Sequence, residues 1–265
     1  MYKKIGIIGL GFVGSAIFKS FKLKHINVIA YDKYKNGGIG SFDEMLKCDL
    51  LFLCLPTLFI EEFNSYDKSS IHEVCQKLDT YKYKGLVIIK STIEPETTNN
   101  LVSTYINLKF CHNPEFLTAK TAFEDFHNQK HIVLGFSRKS DNDNKLINFY
   151  SQYYNAEISV CSAIESESMK IFCNSFYASK IMLFNEYYLL CQKNGSNFEN
   201  IKNIMLKNDW INPMHTSVPG TDGSLGYGGA CFPKDTKALC SYMNTKESEN
   251  NILKNIIKEC ENIRK

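Results

Sequence analysis

The residues best suited to chemistry lie between Gly226 and Asp235, in the sequence Gly-Tyr-Gly-Gly-Ala-Cys-Phe-Pro-Lys-Asp. Glycines allow the backbone to approach a ligand closely, and Pro233 is typical of the first turn of a helix. The N-terminus of a helix and the ammonium group of Lys234 both favour the thiolate form of Cys231 over the thiol. This spacing predicts that Cys231 is a nucleophile with a carboxylate close behind it in the chain.

The other cysteines indicate packing rather than chemistry. They lie in or beside apolar stretches, where a free cysteine behaves as a small hydrophobic residue. No two cysteines are spaced as Cys-x-x-Cys and no His/Cys ligand set is present, so the sequence predicts no zinc site. These cysteines are Cys48, Cys54, Cys75, Cys111, Cys161, Cys173, Cys191, Cys240 and Cys260.

A glycine-rich segment near the N-terminus predicts a dinucleotide site. Gly9-Leu10-Gly11-Phe12-Val13-Gly14 follows a strand pattern and opens a helical one, and Asp32 ends the next strand 18 residues after Gly14. The first two glycines permit the tight turn and the approach of a pyrophosphate, and the third lets the helix pack on the strand. An acid at this position binds the adenosine ribose and favours NAD over NADP, although Lys33 and Lys35 could meet a 2′-phosphate. A merely structural turn is the alternative.

Three further loops follow strands at the edge where an open parallel sheet binds ligands. They are Leu55-Pro56-Thr57, Lys90-Ser91-Thr92-Ile93-Glu94-Pro95 and Asn113-Pro114-Glu115-Phe116-Leu117. The serines and threonines of the first two loops suit ordinary capped turns equally well, and the third loop could also be an ordinary turn. On a later helical stretch Lys170 and Asn174 are four residues apart, so they share one face and could reach one ligand, unless that face is a solvated stripe.

The elements around these residues indicate an α/β fold. Short apolar runs alternate with helical patterns over residues 1–162, as in a doubly wound parallel sheet with crossover helices. Apolar residues then recur at helical spacing from Ala163 to Lys193, and further helices are predicted after Pro233 and over Asn250–Arg264. We therefore expect a dinucleotide-binding domain over 1–162 and an all-helical domain over 163–265. The predicted strands are Ile5–Gly9, Val28–Asp32, Leu50–Leu55, Leu86–Lys90, Lys109–Cys111, Ile132–Gly135 and Ile158–Val160.

Composition narrows the classes of function. The chain of 265 residues is 44% hydrophobic and carries a net charge of +3, and Arg138 and Arg264 are its only arginines. Without a basic block, a nucleic-acid partner is not expected. No apolar run reaches the ~20 residues that cross a bilayer and no signal-peptide pattern opens the chain, so we expect a cytoplasmic protein with reduced thiols and no membrane partner.

Several segments together form a recognisable pattern. They are Gly9–Gly14, Ser91-Thr92, Asn113–Leu117, the spaced set Glu165, Glu167, Lys170 and Asn174, the pair Asn185-Glu186, and Gly226–Asp235. Their order and approximate spacing resemble those of the UDP-glucose/GDP-mannose dehydrogenase family across essentially the whole chain. The Gly226–Asp235 segment is most similar to the branch that oxidises UDP-glucose.

The resemblance implies an architecture. It consists of a Rossmann-type NAD-binding domain, a helical dimerisation domain that also carries the catalytic cysteine, and a third domain that holds much of the nucleotide. Because the chain stops at Lys265, thirty residues after Asp235, we expect the third domain to be absent from this chain. The long helix implies a homodimer.

The resemblance also implies a four-electron oxidation, in which UDP-glucose becomes UDP-glucuronate and NAD takes up two hydrides. The C6 alcohol is oxidised to an aldehyde, Cys231 holds the aldehyde as a thiohemiacetal, and a second oxidation gives a thioester that water hydrolyses. Lys170 and Asn174 are expected to stabilise the developing alkoxide, and Asp235 to position or activate a water.

Binding roles follow from the same resemblance. Thr92 is expected to help hold the water beside the nicotinamide, and Glu115 to act as the base for hydrolysis. The implied cofactor residues are Gly9, Gly11, Phe12, Val13, Gly14, Asp32, Thr57, Ser91, Thr92 and Lys234. The implied substrate residues are Glu115, Phe116, Leu117, Lys170, Asn174, His215, Gly220, Ser224 and Gly228.

Two departures from the family bear on binding. The family usually has a second glutamate two residues after Leu117, where this chain has Ala119. The family also places an arginine in the loop before the glycines, and counting back from Cys231 puts His215 there, a weaker and pH-dependent partner for an anion. The missing nucleotide contacts would then come from the Gly220–Ser224 loop or from a partner subunit.

Two alternatives stay open. The enzyme class could hold with another nucleotide sugar, such as a UDP-N-acetylhexosamine or GDP-mannose, although the glycine loop argues mildly against this. The chain could also be a non-catalytic NAD-binding remnant that lacks a nucleotide-sugar site. Cys231, Lys170, Asn174 and Asp235 are all intact, which argues against such decay.

Overall fold

The computed structural model describes residues 2–137 and 141–264, so Arg138 and Lys265 lie outside the described residues. The chain divides into two compact units. The first holds the chain up to Leu58 together with Tyr66–Lys170, and the second holds Phe59–Ser65 and the chain from Ile171 onward. The strands are β1 (Ile5–Ile8), β2 (Val28–Tyr31), β3 (Leu50–Leu53), β4 (Phe59–Ile60), β5 (Ser65–Tyr66), β6 (Leu86–Ile89), β7 (Lys109–His112), β8 (His131–Phe136) and β9 (Glu157–Ser162). The helices are α1 (Phe12–Leu23), α2 (Phe42–Met45), α3 (Ser69–Thr80), α4 (Thr97–Thr104), α5 (Ala122–His127), α6 (Asp141–Tyr153), α7 (Ala163–Asn194), α8 (Phe198–Leu206), α9 (Phe232–Thr245) and α10 (Asn251–Ile263).

The first unit is built on a seven-stranded sheet in the order β2-β1-β3-β6-β7-β8-β9. The first five strands in that order are parallel. The direction of winding reverses between β1 and β3, and an open sheet binds ligands beyond the carboxyl ends of its strands at such a point. The Gly9–Gly14 loop follows β1 and Leu55–Thr57 follows β3, so both loops lie there. The sheet confirms the predicted doubly wound α/β domain.

The last two strands depart from the predicted parallel sheet. β8 pairs antiparallel with β7, with Cys111 beside Phe136, and β9 pairs parallel with β8. A parallel crossover must carry the chain back along the full height of the strands. The connection from β7 to β8 contains only α5, whose six residues rise about 9 Å. The chain therefore enters β8 from the carboxyl edge of the parallel strands.

Alternate residues of the central strands pack on opposite faces of the sheet. Ile7 and Ile88 pack with α1 and α6 on one face. Ile8 and Ile89 pack with α3 and α4 on the other. Each of these fully buried side chains stabilises the fold by about 1.5–3 kcal/mol. The carboxyl ends of the strands are thus a rigid edge that holds the loops in place.

The regular elements described in the second unit are helices, together with β4 and Ser65 of β5 from a short β4–β5 hairpin that the sequence did not predict. Helix α9 packs against both α10 and β4. Lys237 of α9 pairs with Glu61 at 2.7 Å and with Glu261 at 3.0 Å. Two apolar clusters lie in the second unit. One consists of Ala178, Met182, Tyr227 and Cys260, and the other of Phe184, Cys191, Phe198 and Val218. No helix in the described ranges combines the length and the hydropathy that crossing a bilayer requires.

Candidate functional site

The three glycines of the Gly9–Gly14 loop have three different environments. Gly9 has a φ of +91°, which favours glycine, and a Cβ there would lie 2.4 Å from the carbonyl oxygen of Cys54. A Cβ on Gly14 would lie 1.8 Å from the carbonyl oxygen of Gly9. A Cβ on Gly11 would meet nothing within 4 Å. Packing therefore requires Gly9 and Gly14, whereas Gly11 leaves open space at the N-terminus of α1, where a pyrophosphate binds.

Asp32 follows β2 and turns its carboxylate toward this loop. Its Oδ2 accepts a hydrogen bond from the backbone N–H of Leu10 at 2.7 Å, and its Oδ1 accepts from the N–H groups of Tyr34 and Lys35 at 3.0 and 2.9 Å. Partial burial raises the pKa of Asp32, but these backbone hydrogen bonds outweigh burial and hold the pKa below its usual value. The carboxylate is therefore ionised and fixed in orientation, as ribose binding requires.

Lys35 brings a positive charge to the same loop. Its Nζ donates to the carbonyl of Leu10 at 2.6 Å and to Ser15 Oγ at 3.3 Å. The sequence suggested Lys35 only as a partner for a 2′-phosphate. Its position beside the N-terminus of α1 also suits the diphosphate of either dinucleotide.

A cavity of about 640 Å³ opens beside these residues. Phe12 is 72% exposed at this wall, while Val13 packs against the core beneath it. Ala119, at the position where a second glutamate was expected, also lines the cavity. An open glycine, a fixed carboxylate, a lysine and exposed apolar surface are what an adenine dinucleotide needs, so the residues present fit NAD. The lining includes Gly11, Phe12, Asp32, Lys35, Ala119 and Phe123.

Side chains join the two loops that follow β3 and β6. Ser91 Oγ donates to the carbonyl of Leu55 at 2.7 Å and accepts from the N–H of Leu55 at 3.1 Å. Thr57 Oγ1 donates to the carbonyl of Thr92 at 2.8 Å. Thr57, Ser91 and Thr92 are all buried. The side chains of Thr57 and Ser91 therefore hold the two loops together rather than capping helices, since α3 begins only at Ser69 and α4 only at Thr97.

Glu115 and Lys170 form an ion pair within the first unit. Glu115 Oε1 lies 3.3 Å from Lys170 Nζ, and the two side chains are 11% and 6% exposed. Glu115 Oε2 accepts from the N–H of Leu117 at 3.0 Å, and Lys170 Nζ lies 5.4 Å from the ring centre of Phe116. The family resemblance gave these two residues separate roles. The structure adds that each orients the other.

Cys231 is the exposed cysteine of the chain, since all nine others are buried or half-buried. It is the N-cap residue of α9, and Pro233 lies in the first turn, as the sequence predicted. The preceding Gly229 has a φ of +79°. The thiol thus has access to solvent at the positive end of a helix dipole, which favours an anion there.

Asp235 lies one turn into α9 and is fully buried. Its Oδ2 accepts from Asn174 Nδ2 at 2.5 Å, and its Oδ1 accepts from Lys234 Nζ at 2.5 Å. Its backbone N–H donates to the carbonyl of Cys231 at 2.9 Å. Four residues that the family resemblance singled out, Asn174, Cys231, Lys234 and Asp235, therefore form one cluster in the second unit.

Arg264 covers the glycine loop from the end of α10. Its guanidinium occupies the space that a Cβ on Gly228 would need, with Nη2 at 2.3 Å from that position. It donates to the carbonyl of Leu225 at 3.2 Å and pairs with Asp222. The loop before the glycines contains no arginine, but the structure brings one to the glycine loop from later in the chain.

The other predicted substrate residues lie around this loop. The N–H of Gly220 donates to the carbonyl of Ser224 at 2.9 Å, which closes a tight turn. The ring of His215 lies 5.3 Å from that of Phe232, the residue after Cys231. Burial lowers the pKa of His215, and the charge of Lys180 lowers it further. At neutral pH His215 therefore offers a hydrogen bond rather than a positive charge.

Two buried charged residues received no role from the sequence. Glu167 is fully buried in α7, and its Oε1 accepts from the N–H of Thr98 at 2.7 Å, in the first turn of α4. Burial raises the pKa of Glu167 to about 7. Lys90 is buried at the end of β6. The position of Lys90 directly after the apolar run Leu86–Ile89 is a weak signal in the sequence, whereas Glu167 lies among charged and polar neighbours that give no such signal.

Two models of one protein family match most of the chain. Residues 164–261 match the central domain of the UDP-glucose/GDP-mannose dehydrogenase family, and residues 40–154 match the NAD-binding domain of the same family. The UDP-glucose 6-dehydrogenase of Rickettsia prowazekii is 30% identical over 89% of this chain and 54% of its own length. That of Campylobacter jejuni is 27% identical over 99% of this chain and 72% of its own length. The chain spans about half the length of most of the curated relatives it matches.

Solved structures show the same fold. A UDP-glucose dehydrogenase from Pyrobaculum islandicum superposes with a TM-score of 0.86 at 24% identity, over 99% of this chain and 68% of that one. A UDP-D-ManNAc dehydrogenase from Pyrococcus horikoshii superposes with a TM-score of 0.78 at 21% identity, over 98% and 68%. At these identities the structures support the fold alone.

Proposed function

Because the chain belongs to the UDP-glucose/GDP-mannose dehydrogenase family, we propose that it oxidises the C6 alcohol of a nucleotide sugar to a uronic acid, with UDP-glucose as substrate. NAD is the cofactor. The observation that carries the proposal is the second-unit cluster, in which exposed Cys231 stands one helical turn before buried Asp235, and Asp235 orients both Asn174 and Lys234.

The first unit would bind the cofactor. The open space at Gly11 and the N-terminus of α1 would take the diphosphate, with Lys35 beside it, and the fixed carboxylate of Asp32 would take the adenosine ribose. Thr57, Ser91 and Thr92 are proposed at the nicotinamide end. When bound, NAD accepts the hydride released in each of the two oxidations.

Cys231 supplies the covalent step. Its thiolate attacks C6 of the aldehyde, and the carbonyl oxygen takes up a proton to give a thiohemiacetal. Loss of a hydride and of that proton then gives a thioester. Water adds to the thioester carbonyl and the thiolate leaves, which restores Cys231 and releases the uronic acid. Two hydrides leave the substrate for each uronic acid formed.

The polar residues control the oxygen on C6 and the water. Lys170 and Asn174 would donate to the oxygen as its negative charge develops. Each is already oriented by a carboxylate, Lys170 by Glu115 and Asn174 by Asp235. Glu115 would accept the proton of the attacking water, and Asp235 and the hydroxyl of Thr92 would help to hold that water.

UDP-glucose is favoured among nucleotide sugars because the relatives near 30% identity are named UDP-glucose 6-dehydrogenases. The proteins named for UDP-N-acetylmannosamine and GDP-mannose match at 21% identity or less. In the second unit Gly220, Ser224, Gly228 and His215 are the proposed substrate contacts.

A homodimer in the cytoplasm completes the proposal. A series of large apolar side chains on α7 and α8 is 49% to 64% exposed, and a second copy of the chain would cover it. The ten cysteines are all thiols rather than disulfides, which suits a reducing compartment. The exposed apolar residues are Phe172, Phe176, Leu183, Leu190 and Ile204.

The test incubates the purified chain with NAD and each of UDP-glucose, UDP-N-acetylglucosamine and GDP-mannose, and measures NADH together with the sugar product. Two NADH for each UDP-glucuronate, with UDP-glucose as the best substrate, is the expected result. NAD binding without turnover of any sugar would instead indicate the non-catalytic alternative. Light scattering of the same sample tests the homodimer, which a monomer would contradict.

A further inference from the structure

Lys90 is a buried cation at the carboxyl end of β6, directly before Ser91 and Thr92. Only 2% of the residue is exposed. Its Nζ donates to Asn113 Oδ1 at 3.0 Å and to the carbonyl of Pro114 at 3.2 Å. Both acceptors are neutral oxygens, and Lys90 forms no ion pair with any residue that the structure describes.

An ammonium group in this setting is destabilising. Burial lowers the pKa of Lys90 to about 8. A methionine would fill a similar volume without a charge, and replacing buried ions by apolar residues is often neutral or stabilising. A lysine at such a position therefore indicates a role other than stabilising the fold.

The acceptors of Lys90 belong to the turn that carries Glu115. Asn113 Oδ1 also accepts from the hydroxyl of Tyr150 at 2.6 Å, and Asn113 Nδ2 donates to the carbonyl of Val133 at 2.8 Å. The turn is therefore held by β6, α6 and β8 together. The carbonyl of Pro114 immediately precedes Glu115, whose carboxylate lies against Lys170 at 3.3 Å.

We propose that Lys90 is a positioning residue: from within the sheet it fixes the Asn113-Pro114-Glu115 turn, so that the Glu115 carboxylate is held against Lys170. This role rests on the proposed function, in which Glu115 accepts a proton from water and Lys170 stabilises the oxygen on C6.

The variant Lys90→Met tests this role, because it removes the charge and both hydrogen bonds while keeping the length of the side chain. We expect kcat for uronate formation to fall by about 100-fold, as small misplacements of a catalytic group do. The KM for UDP-glucose and the dissociation constant of NAD are expected to change less than threefold, and the unfolding temperature to be unchanged or higher. A merely structural lysine would instead lower the unfolding temperature.

The pH profile gives a second readout. In the wild type, kcat is expected to fall as the pH rises above about 8, because Lys90 then releases its proton. In Lys90→Met this alkaline loss is expected to disappear, while losses that arise from other groups remain. The titratable groups that interact with the Lys90 ammonium are Cys54, Cys111, His112, Glu115 and Lys170.

Lys202→Met is the matched control, since Lys202 is also a buried lysine but pairs with Glu199 in α8, outside the proposed site. Its kcat is expected to equal that of the wild type. If the wild type oxidises no sugar, the proposed function fails whatever Lys90 does. If the wild type is active and Lys90→Met keeps the same kcat, the positioning role is wrong. It is also wrong if the fraction of Lys90→Met that is unfolded at the assay temperature accounts for the whole loss of kcat.

Discussion

Asn174 donates its side-chain amide to the buried carboxylate of Asp235 at 2.5 Å, across 61 residues of chain. The other carboxylate oxygen accepts from Lys234. A buried carboxylate whose two oxygens meet two donors is fixed in position, and it fixes both donors in turn. Asn174 can therefore be oriented before a substrate arrives, which suits a group proposed to stabilise charge on the substrate oxygen.

Replacing Asp235 by asparagine should disturb this arrangement without changing its volume. The new amide nitrogen would face either Asn174 or Lys234, and both of these are donors. We expect the free energy of unfolding to fall by about 1–3 kcal/mol, because a buried donor is left without an acceptor. We expect uronate formation to fall at least tenfold. Thermal unfolding and steady-state kinetics measure the two effects.

A double-mutant cycle isolates the contact between the two residues. Asn174→Ala alone removes one donor and leaves Asp235 paired with Lys234. If the contact stabilises the fold, the double variant should lose less free energy of unfolding than the two single variants lose in total, by at least about 0.5 kcal/mol. Strict additivity would show that Asn174 and Asp235 act independently.

Cys231→Ser tests the nucleophile. A serine hydroxyl is a far weaker nucleophile than a thiolate at neutral pH, so we expect the rate of UDP-glucuronate formation to fall below detection. NAD binding should persist, since the glycine loop and Asp32 belong to the first unit. Product analysis by mass spectrometry and NAD titration measure the two effects, and the same mass spectra would reveal any sugar trapped as an ester on the introduced hydroxyl.

Cys161→Ser is the matched control, because Cys161 is a half-buried cysteine in β9 with no proposed role. It should retain wild-type kcat. Wild-type NADH yield and rate in Cys231→Ser would show that the thiol is not the nucleophile.

Two glycines of one loop should respond in opposite ways to alanine. The Cβ of Gly11→Ala meets no protein atom within 4 Å, so stability should change by less than about 0.5 kcal/mol. That Cβ occupies the space proposed for the diphosphate, so NAD affinity should fall at least tenfold. The Cβ of Gly14→Ala would lie 1.8 Å from a backbone oxygen, and we expect it to destabilise the fold by at least about 1–3 kcal/mol.

Thermal unfolding and NAD titration of both variants measure this contrast. Unchanged NAD affinity in a folded Gly11→Ala protein would place the diphosphate elsewhere. Wild-type stability in Gly14→Ala would show that α1 can move away from β1.

The fold was largely predictable because its signals are local. The strands of the central sheet appear in the sequence as short apolar runs, and Gly9–Gly14 and Asp32 each follow one of them. The NAD-binding domain could therefore be predicted from the order of these segments along the chain. The direction of β8 could not be derived in this way, because it depends on the distance that the short helix α5 spans between β7 and β8. The same limit applies to the β4–β5 hairpin.

The site was predictable only as a set of residues. Order and spacing singled out Glu115, Lys170, Asn174 and Asp235, but neither the contact of Glu115 with Lys170 nor that of Asn174 with Asp235 is encoded in a spacing. The sequence also does not show which charged side chains are buried. Lys90 and Glu167 look like ordinary charged residues in the sequence, and only the packing of several elements around them reveals that their charges are buried.

Glu167 makes stability depend on pH in an unusual direction. Burial raises its pKa to about 7, and Glu94 adds to this, while hydrogen bonds from the Thr98 and Glu96 region oppose it. Between the ordinary pKa of glutamate and about 7, the folded chain keeps a proton that the unfolded chain has released. The folded state binds more protons there, so the contribution of Glu167 to stability falls as pH rises through this window. Above pH 7 the full penalty is on the order of 3 kcal/mol.

Glu167→Gln should therefore be more stable than the wild type at pH 8 and nearly equal to it at pH 5. The glutamine oxygen can still accept from Thr98, so the hydrogen bond at the start of α4 survives. Unfolding temperatures of both proteins at pH 5, 6.5 and 8 measure the difference, which is expected to grow with pH. Glu165→Gln is the control, because hydrogen bonds from Ser162 lower the pKa of this exposed neighbour, so the substitution should lower stability at neutral pH. A difference for Glu167→Gln that stays constant from pH 5 to 8 would mean that Glu167 does not titrate in this range.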